Sequence, residues 1–156
     1  DMRLYLVQHG EAVDKSENPD RPLTAAGREA VAAVGKLLRS AGISVPRIEH
    51  SGKTRSRETA ELLAEAIGKA GGVHERKDIS PNDPVDAVAN ALKWADADLM
   101  LVGHEPSMGK LASLLVTGDS YAEIVAFQKG AVVCLERKSD GAWCIAWMIV
   151  PELATS

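Results

Sequence analysis

Two histidines stand where apolar runs stop. In Arg3-Leu4-Tyr5-Leu6-Val7-Gln8-His9-Gly10-Glu11-Ala12 an apolar stretch ends at Gln8-His9, and Gly10 lets the backbone turn behind the imidazole. The layout repeats in Asp98-Leu99-Met100-Leu101-Val102-Gly103-His104-Glu105-Pro106-Ser107: apolar run, glycine, histidine, helix start. Between them, Ile48-Glu49-His50-Ser51-Gly52-Lys53-Thr54-Arg55-Ser56-Arg57-Glu58-Thr59 is a third exit that opens a helix and carries the cations Lys53, Arg55 and Arg57. Short apolar runs bounded by breakers read as buried strands of an α/β protein. Open parallel sheets bind ligands outside the carboxyl ends of their strands. Two imidazoles and a guanidinium gathered in one such crevice suit phosphoryl transfer. A neutral imidazole can attack phosphorus and carry the group covalently. Guanidinium groups, helix N-termini and a second imidazolium can hold the charge on the phosphoryl oxygens.

His9 is the candidate nucleophile, because Gly10 exposes its ring at a sharp turn. His104 is its partner, an imidazolium against the phosphoryl oxygens. Arg55 sits where a helix begins, so guanidinium and helix dipole can point the same way. Helix geometry separates Arg55 from Arg57 by roughly 200°, which leaves Arg57, like Lys53, on the solvated surface. His50 and His74 read as structural or surface residues. Glu11 and Glu105 each lie beside a candidate histidine. Glu105 either protonates a leaving oxygen or only complements the dipole of the helix it opens. A two-step displacement needs no metal, and no His, Asp and Cys cluster has ligand spacing, so no cofactor is expected.

The elements that must position these groups follow in order. After the first strand, the polar segment from Val13 to Pro22 must be a loop beside the site. Its cations Lys15 and Arg21 either help hold an anion or are solvated, with Arg21 against Asp20. Thr24 is a helix N-cap, Val31, Val34, Leu37, Leu38 and Ala41 repeat at helical spacing, and Gly42 stops the helix. A second strand is expected over Val45 to Glu49, then a helix from near Gly52 to Gly71-Gly72. Val73 to Pro84 reads as irregular, Val85 to Ala95 as a short helix, and Leu99 to Val102 as the third strand. Pro106 fits the first turn of a helix that ends at Gly118. Tyr121 to Phe127 is ambiguous. Ala131 to Leu135 and Trp143 to Val150 are β-like, joined by a hairpin turn at Ser139-Asp140-Gly141. The expectation is one α/β domain over 1–156: a three-layer sandwich, its mostly parallel sheet flanked by helices on both faces, with an antiparallel edge strand near the C-terminus.

Size and composition allow this. The 156 residues, 46% apolar and 26% charged, suffice for one buried core. Acidic residues outnumber basic ones, 22 against 18, for a formal charge of −4, so no nucleic-acid partner is expected and any anion site must be local. Cys134 and Cys144 read as buried thiols. No apolar run approaches the ~18 residues of a membrane span and no leader precedes the first strand, which makes a cytoplasmic protein the default. Asp1 is not a translation start, and Met2 reads as the natural first residue.

The motif Leu6-Val7-Gln8-His9-Gly10-Glu11-Ala12 resembles the Arg-His-Gly signature of the histidine phosphatase (phosphoglycerate mutase-like) superfamily. Arg21-Pro22-Leu23-Thr24-Ala25-Ala26-Gly27, Ser51 to Ala60, and Val102-Gly103-His104-Glu105-Pro106 are similar, in the right order, to its small SixA-type phosphohistidine phosphatase branch. The resemblance implies that His9 becomes phosphorylated and that Arg55 and His104 bind the phosphoryl group; Gln8, Gly10, Arg21 and Glu105 are the further candidates for substrate contact. It implies a metal-independent phosphatase in signal transduction. Its substrate would be a phosphorylated protein, such as a histidine phosphotransfer domain, or a small phosphate ester, and its product inorganic phosphate. A mutase fits less well, since the short chain has little material for a lid.

One residue departs from the signature: Gln8 stands where the family has arginine. An amide offers one NH₂ and no charge, against a cationic fork of five donors. A charge-assisted hydrogen bond is worth roughly 1.5–3 kcal/mol against about 1 for a neutral one. Lost only in the transition state, it slows transfer by roughly one to two orders of magnitude. Three readings stand: a slow enzyme with Lys15, Arg21 or Lys53 supplying charge, a module that binds phosphate or phosphoprotein without efficient turnover, or an introduced change.

Overall fold

The computed structural model describes residues 1–68 and 71–154. Six strands, β1 (Met2–Gln8), β2 (Ile48–His50), β3 (Val73–Glu75), β4 (Leu99–Gly103), β5 (Val132–Arg137) and β6 (Trp143–Ile149), form one sheet in the order β3-β2-β4-β1-β5-β6. The first four are parallel, β5 runs antiparallel to β1, and the edge strand β6 runs antiparallel to β5. The helices are α1 (Ala25–Ser40), α2 (Thr54–Ile67), α3 (Asp86–Leu92), α4 (Ser107–Thr117) and α5 (Pro151–Ala154).

Strand alternation sorts the core into two layers. Tyr5, Val7, Met100 and Val102 pack with Val31, Val34 and Leu38 of α1 and Ala60 and Leu63 of α2. Leu4, Leu6 and Leu101 pack on the other face with Val88 and Leu92 of α3 and Met108 and Leu111 of α4. Both faces of the central strands are therefore covered, the expected three-layer sandwich. Among the described residues no helix is long and apolar enough to cross a membrane.

The first strand exit and α1 lie unusually close. Thr24 caps α1, its Oγ1 accepting from the Gly27 amide at 2.9 Å. A Cβ on Gly27 would stand 2.2 Å from the Glu11 carbonyl oxygen, and one on Gly10 would stand 2.7 Å from Val31 Cγ2. Neither position has room for a larger residue.

Several boundaries differ from the sequence reading, among them α3, which ends at Leu92 rather than Ala95, and β5, which runs on to Arg137. β2 begins at Ile48 rather than Val45, because Pro46 has no N–H for a ladder. α2 ends at Gly68 rather than Gly71-Gly72: Gly68 adopts φ 63°, and its amide closes the last turn on Ala64 O. The short parallel strand β3, at the edge beside β2, lies in the stretch read as irregular. Three residues carry no readable alternation. Tyr121 to Phe127 forms neither helix nor strand, and the hairpin turn lies where expected, with the Lys138 amide on Ala142 O at 2.8 Å.

Candidate active site

The site begins with a register. β1 and β4 pair as Leu4↔Leu99 through Gln8↔Gly103. One step further along both strands lie His9 and His104. The His9 amide donates to Gly103 O at 3.0 Å, continuing the ladder. By alternation both histidines follow Val7 and Val102 on the α1/α2 face. Their ring centroids are 5.0 Å apart, tilted by 59°.

The hydrogen bonds decide the tautomers. His9 Nδ1 lies 2.7 Å from Gly10 O. A carbonyl oxygen only accepts, so Nδ1 carries the hydrogen and Nε2 keeps its lone pair, the form a nucleophile needs. His104 Nε2 lies 2.6 Å from Ser51 Oγ, which lies 2.6 Å from Ser56 Oγ. Ser56 donates its single hydroxyl hydrogen to Lys53 O at 3.0 Å. Ser51 then donates to Ser56, which leaves its oxygen to accept from His104 Nε2–H. His104 Nδ1 is buried with no hydrogen-bond partner.

Burial holds both imidazoles neutral. His9, 6% exposed, has its pKa lowered from 6.5 to about 4, first by desolvation, with the Arg55, Arg21 and Lys129 charges adding to it against the opposing pull of the Gly10 carbonyl. His104, 1% exposed, is lowered to about 3 by desolvation, then by His9, Arg55, Lys53 and Arg21. The imidazolium expected at His104 is therefore disfavoured by its surroundings. An anion bound near the ring would oppose these influences and favour the proton.

Both rings link folding to pH. In the unfolded chain each titrates near 6.5, in the folded chain well below it. As pH falls from 6.5 towards 4 the unfolded state binds more protons, so stability falls with pH. His104→Gln removes one of these groups. The drop in unfolding free energy between pH 7 and pH 4.5, measured by urea titration, should be smaller in that variant by about 2–3 kcal/mol. Identical drops in both proteins would show that His104 is not held neutral by the fold.

Arg55 stands in the first turn of α2. Its Nε is buried without a partner, and among the described residues its guanidinium makes no ion pair. Desolvation and the Arg21 charge lower its pKa, yet an arginine remains cationic. Thr59 ties this turn to the β1 exit: its hydroxyl donates to Arg55 O at 2.8 Å and accepts from the Gly10 amide at 3.0 Å. Arg57 points away, exposed and paired with Glu61 at 3.2 Å. Oε1 of Gln8 is likewise buried and unpartnered. Among the described residues, the buried side-chain polar atoms left without a partner all belong to residues singled out from the sequence.

The remaining candidates divide. Arg21, at φ 48°, anchors its Nε on Val13 O at 3.0 Å, and its charge acts on His9, Arg55 and His104. The loop from Val13 to Pro22 is closed at its base by Val13 N–H on Pro22 O at 2.8 Å. Glu105 accepts from the Gly109 amide at 2.6 Å and so caps α4, and Glu11 accepts from the Thr24 hydroxyl at 2.7 Å. Both carboxylates hold helix starts. His50 Nδ1 accepts from the Gly52 amide at 3.0 Å and His74 Nε2 donates to Gly71 O at 2.8 Å, both structural. The sequence reading missed the hydroxyls of Ser51, Ser56 and Thr59, and it did not single out Lys129, whose charge acts on His9. A serine at each end of a strand-to-helix turn is a faint signal, and Lys129 carries none.

Residues 4–79 match the model of the histidine phosphatase superfamily (branch 1). An uncharacterised protein of Picosynechococcus sp. (strain PCC 7002) is 35% identical over 127 residues, 76% of each chain. The probable phosphoglycerate mutase GpmB of Citrobacter koseri is 39% identical over 72 residues, 43% of this chain and 33% of that one. The structure of the protein histidine phosphatase SixA complexed with tungstate superposes with a TM-score of 0.86 at 20% identity, covering 97% of this chain and 99% of that one.

Proposed function

As this chain belongs to the histidine phosphatase superfamily, we propose that it is a metal-independent phosphatase working through a phosphohistidine at His9. The observation that carries the reading is the pairing of His9 and His104, 5.0 Å between ring centroids, beside an arginine with no carboxylate partner among the described residues. His9 Nε2 attacks phosphorus and the bond to the leaving group breaks; a leaving imidazole departs with the proton it already carried, and a leaving oxygen takes one from water. Water then attacks the phosphohistidine, releasing inorganic phosphate and regenerating the neutral ring. Arg55 and the N-terminus of α2 hold the phosphoryl oxygens, and His104 gains its proton as negative charge arrives.

The substrate is phosphorylated protein histidine or a small phosphate ester. A leaving imidazole that arrives protonated needs no acid from the enzyme. That favours the N–P substrate here, since Glu11 and Glu105 are both engaged at helix starts. The fold of SixA, a protein histidine phosphatase, supports the same choice. The direct test is incubation with a phosphorylated histidine phosphotransfer domain in the presence of a chelator. Release of phosphate, with an acid-labile, base-stable phosphoryl group trapped on the protein, is the expected result. A requirement for added metal, or no trapped phosphate, would overturn the proposal.

A second reading has its own observation. The Oε1 of Gln8 is buried, unpartnered and uncharged where the superfamily signature has a cation. A chain lacking that charge can retain phosphate or phosphoprotein binding with little turnover.

A further inference from the structure

Building on the phosphatase reading, we infer that Lys129 belongs to the oxyanion site and supplies part of the positive charge that Gln8 does not. The backbone places it there. The Gly130 amide is shared between Gln8 O at 2.9 Å and His9 O at 3.1 Å, and the Gln8 amide donates to Ala131 O at 3.2 Å. Residues 130 and 131 thus clasp the peptide that joins Gln8 to the nucleophile. With consecutive Cα atoms about 3.8 Å apart, Lys129 is held roughly one residue from that clasp.

Its side chain is free to serve. Lys129 is exposed and, among the described residues, forms no hydrogen bond or ion pair. It lines a surface groove together with Glu11, two residues past His9, and Gly27 of α1. Its charge also reaches the His9 ring.

Direction separates it from the other cations. Arg55 and Lys53 approach from α2, which follows β2 on the β4 side of β1. Lys129 approaches from β5, on the opposite flank. An anion on His9 is thereby bracketed by positive charge from both sides, and the β5 side is the one that depends on a lysine. An ammonium on a flexible stem is a point charge rather than a fork. It attracts a dianion and gives no bidentate orientation, so it offsets the missing guanidinium only in part.

The test is a double-mutant cycle with two readouts, tungstate binding by calorimetry and kcat/KM on an aryl phosphate. Lys129→Ala should weaken both about fivefold in the native background and less than about twofold when Gln8→Arg is also present. Lys129→Arg should restore most of the loss, and Lys36→Ala, a distant surface control on α1, should change nothing. Raising the salt concentration should shrink the Lys129 effect. A Lys129→Ala loss no larger than that of Lys36→Ala, or one of equal size with and without Gln8→Arg, overturns this inference alone. If the native chain binds no tungstate, the phosphatase reading fails and this inference fails with it.

Discussion

Replacing His9 with alanine should abolish phosphoryl transfer, with a loss in kcat of at least about 10⁴-fold. No trapped phosphoryl group should remain on the protein. The size follows from what the ring supplies. Its Nδ1–H is spent on Gly10 O, so Nε2 is a lone pair held in place by the strand exit. Its pKa of about 4 keeps it unprotonated through the physiological range. Alanine leaves the anion-holding groups intact, so tungstate should still bind to His9→Ala within about tenfold of the native chain. That split, binding kept and chemistry lost, marks a nucleophile rather than a fold-maintaining residue. The pH profile of the native protein carries the same information. With the base form dominant down to about pH 4, kcat/KM should show no fall attributable to the nucleophile between pH 8 and pH 5. Substrate protonation must be corrected for, using an N–P and an O–P substrate side by side. A His9→Ala protein retaining most of its turnover would remove the central step of the proposed mechanism.

Why so much of this site was legible is itself physical. His9 and His104 each follow an apolar run that can only be a buried strand, and parallel sheets gather such exits on one edge. The β1–β4 register makes them neighbours, and a register one residue off would place the two rings on opposite faces. Arg55 was singled out from its place at a helix start, and the helix period set Arg57 apart, which the structure has exposed and paired with Glu61. The hydroxyls were not readable. Ser51 sets the His104 tautomer and Thr59 joins α2 to Gly10, but serine and threonine at turns are so common that only three-dimensional closure reveals the partner. Lys129 was hidden for another reason. It lies 120 residues after His9 in an irregular stretch, and only the Gly130 clasp brings it near. β3 escaped because three residues beside a longer strand need no pattern of their own.

Restoring the signature residue, Gln8→Arg, should raise kcat/KM by roughly 10- to 100-fold if the native chain is a weakened enzyme. The range is the difference between a neutral and a charge-assisted hydrogen bond made in the transition state. The fold should accept the change. The cross-strand neighbours of Gln8 are Gly103 on β4 and Ala131 beside β5, and since Met108 fills the space over Gly103 the longer side chain must leave over the strand end. At the last position of β1, an arginine can extend past the sheet edge towards the crevice. Removing Gln8 also removes an unpartnered buried amide oxygen, so that atom takes no hydrogen bond with it. The opposing effect is electrostatic. A cation added beside Arg55, Arg21 and Lys129 lowers the His9 pKa further and destabilises the site when no anion is present. The Gln8→Arg protein should therefore have a lower thermal midpoint than the native chain in anion-free buffer, and gain more stability on adding tungstate. Gain of turnover together with this anion-dependent stability identifies Gln8 as the residue that limits a working phosphatase. Retained tungstate binding with no turnover in either form would assign the chain to the binding module instead, because the charge would then be back and the chemistry still missing.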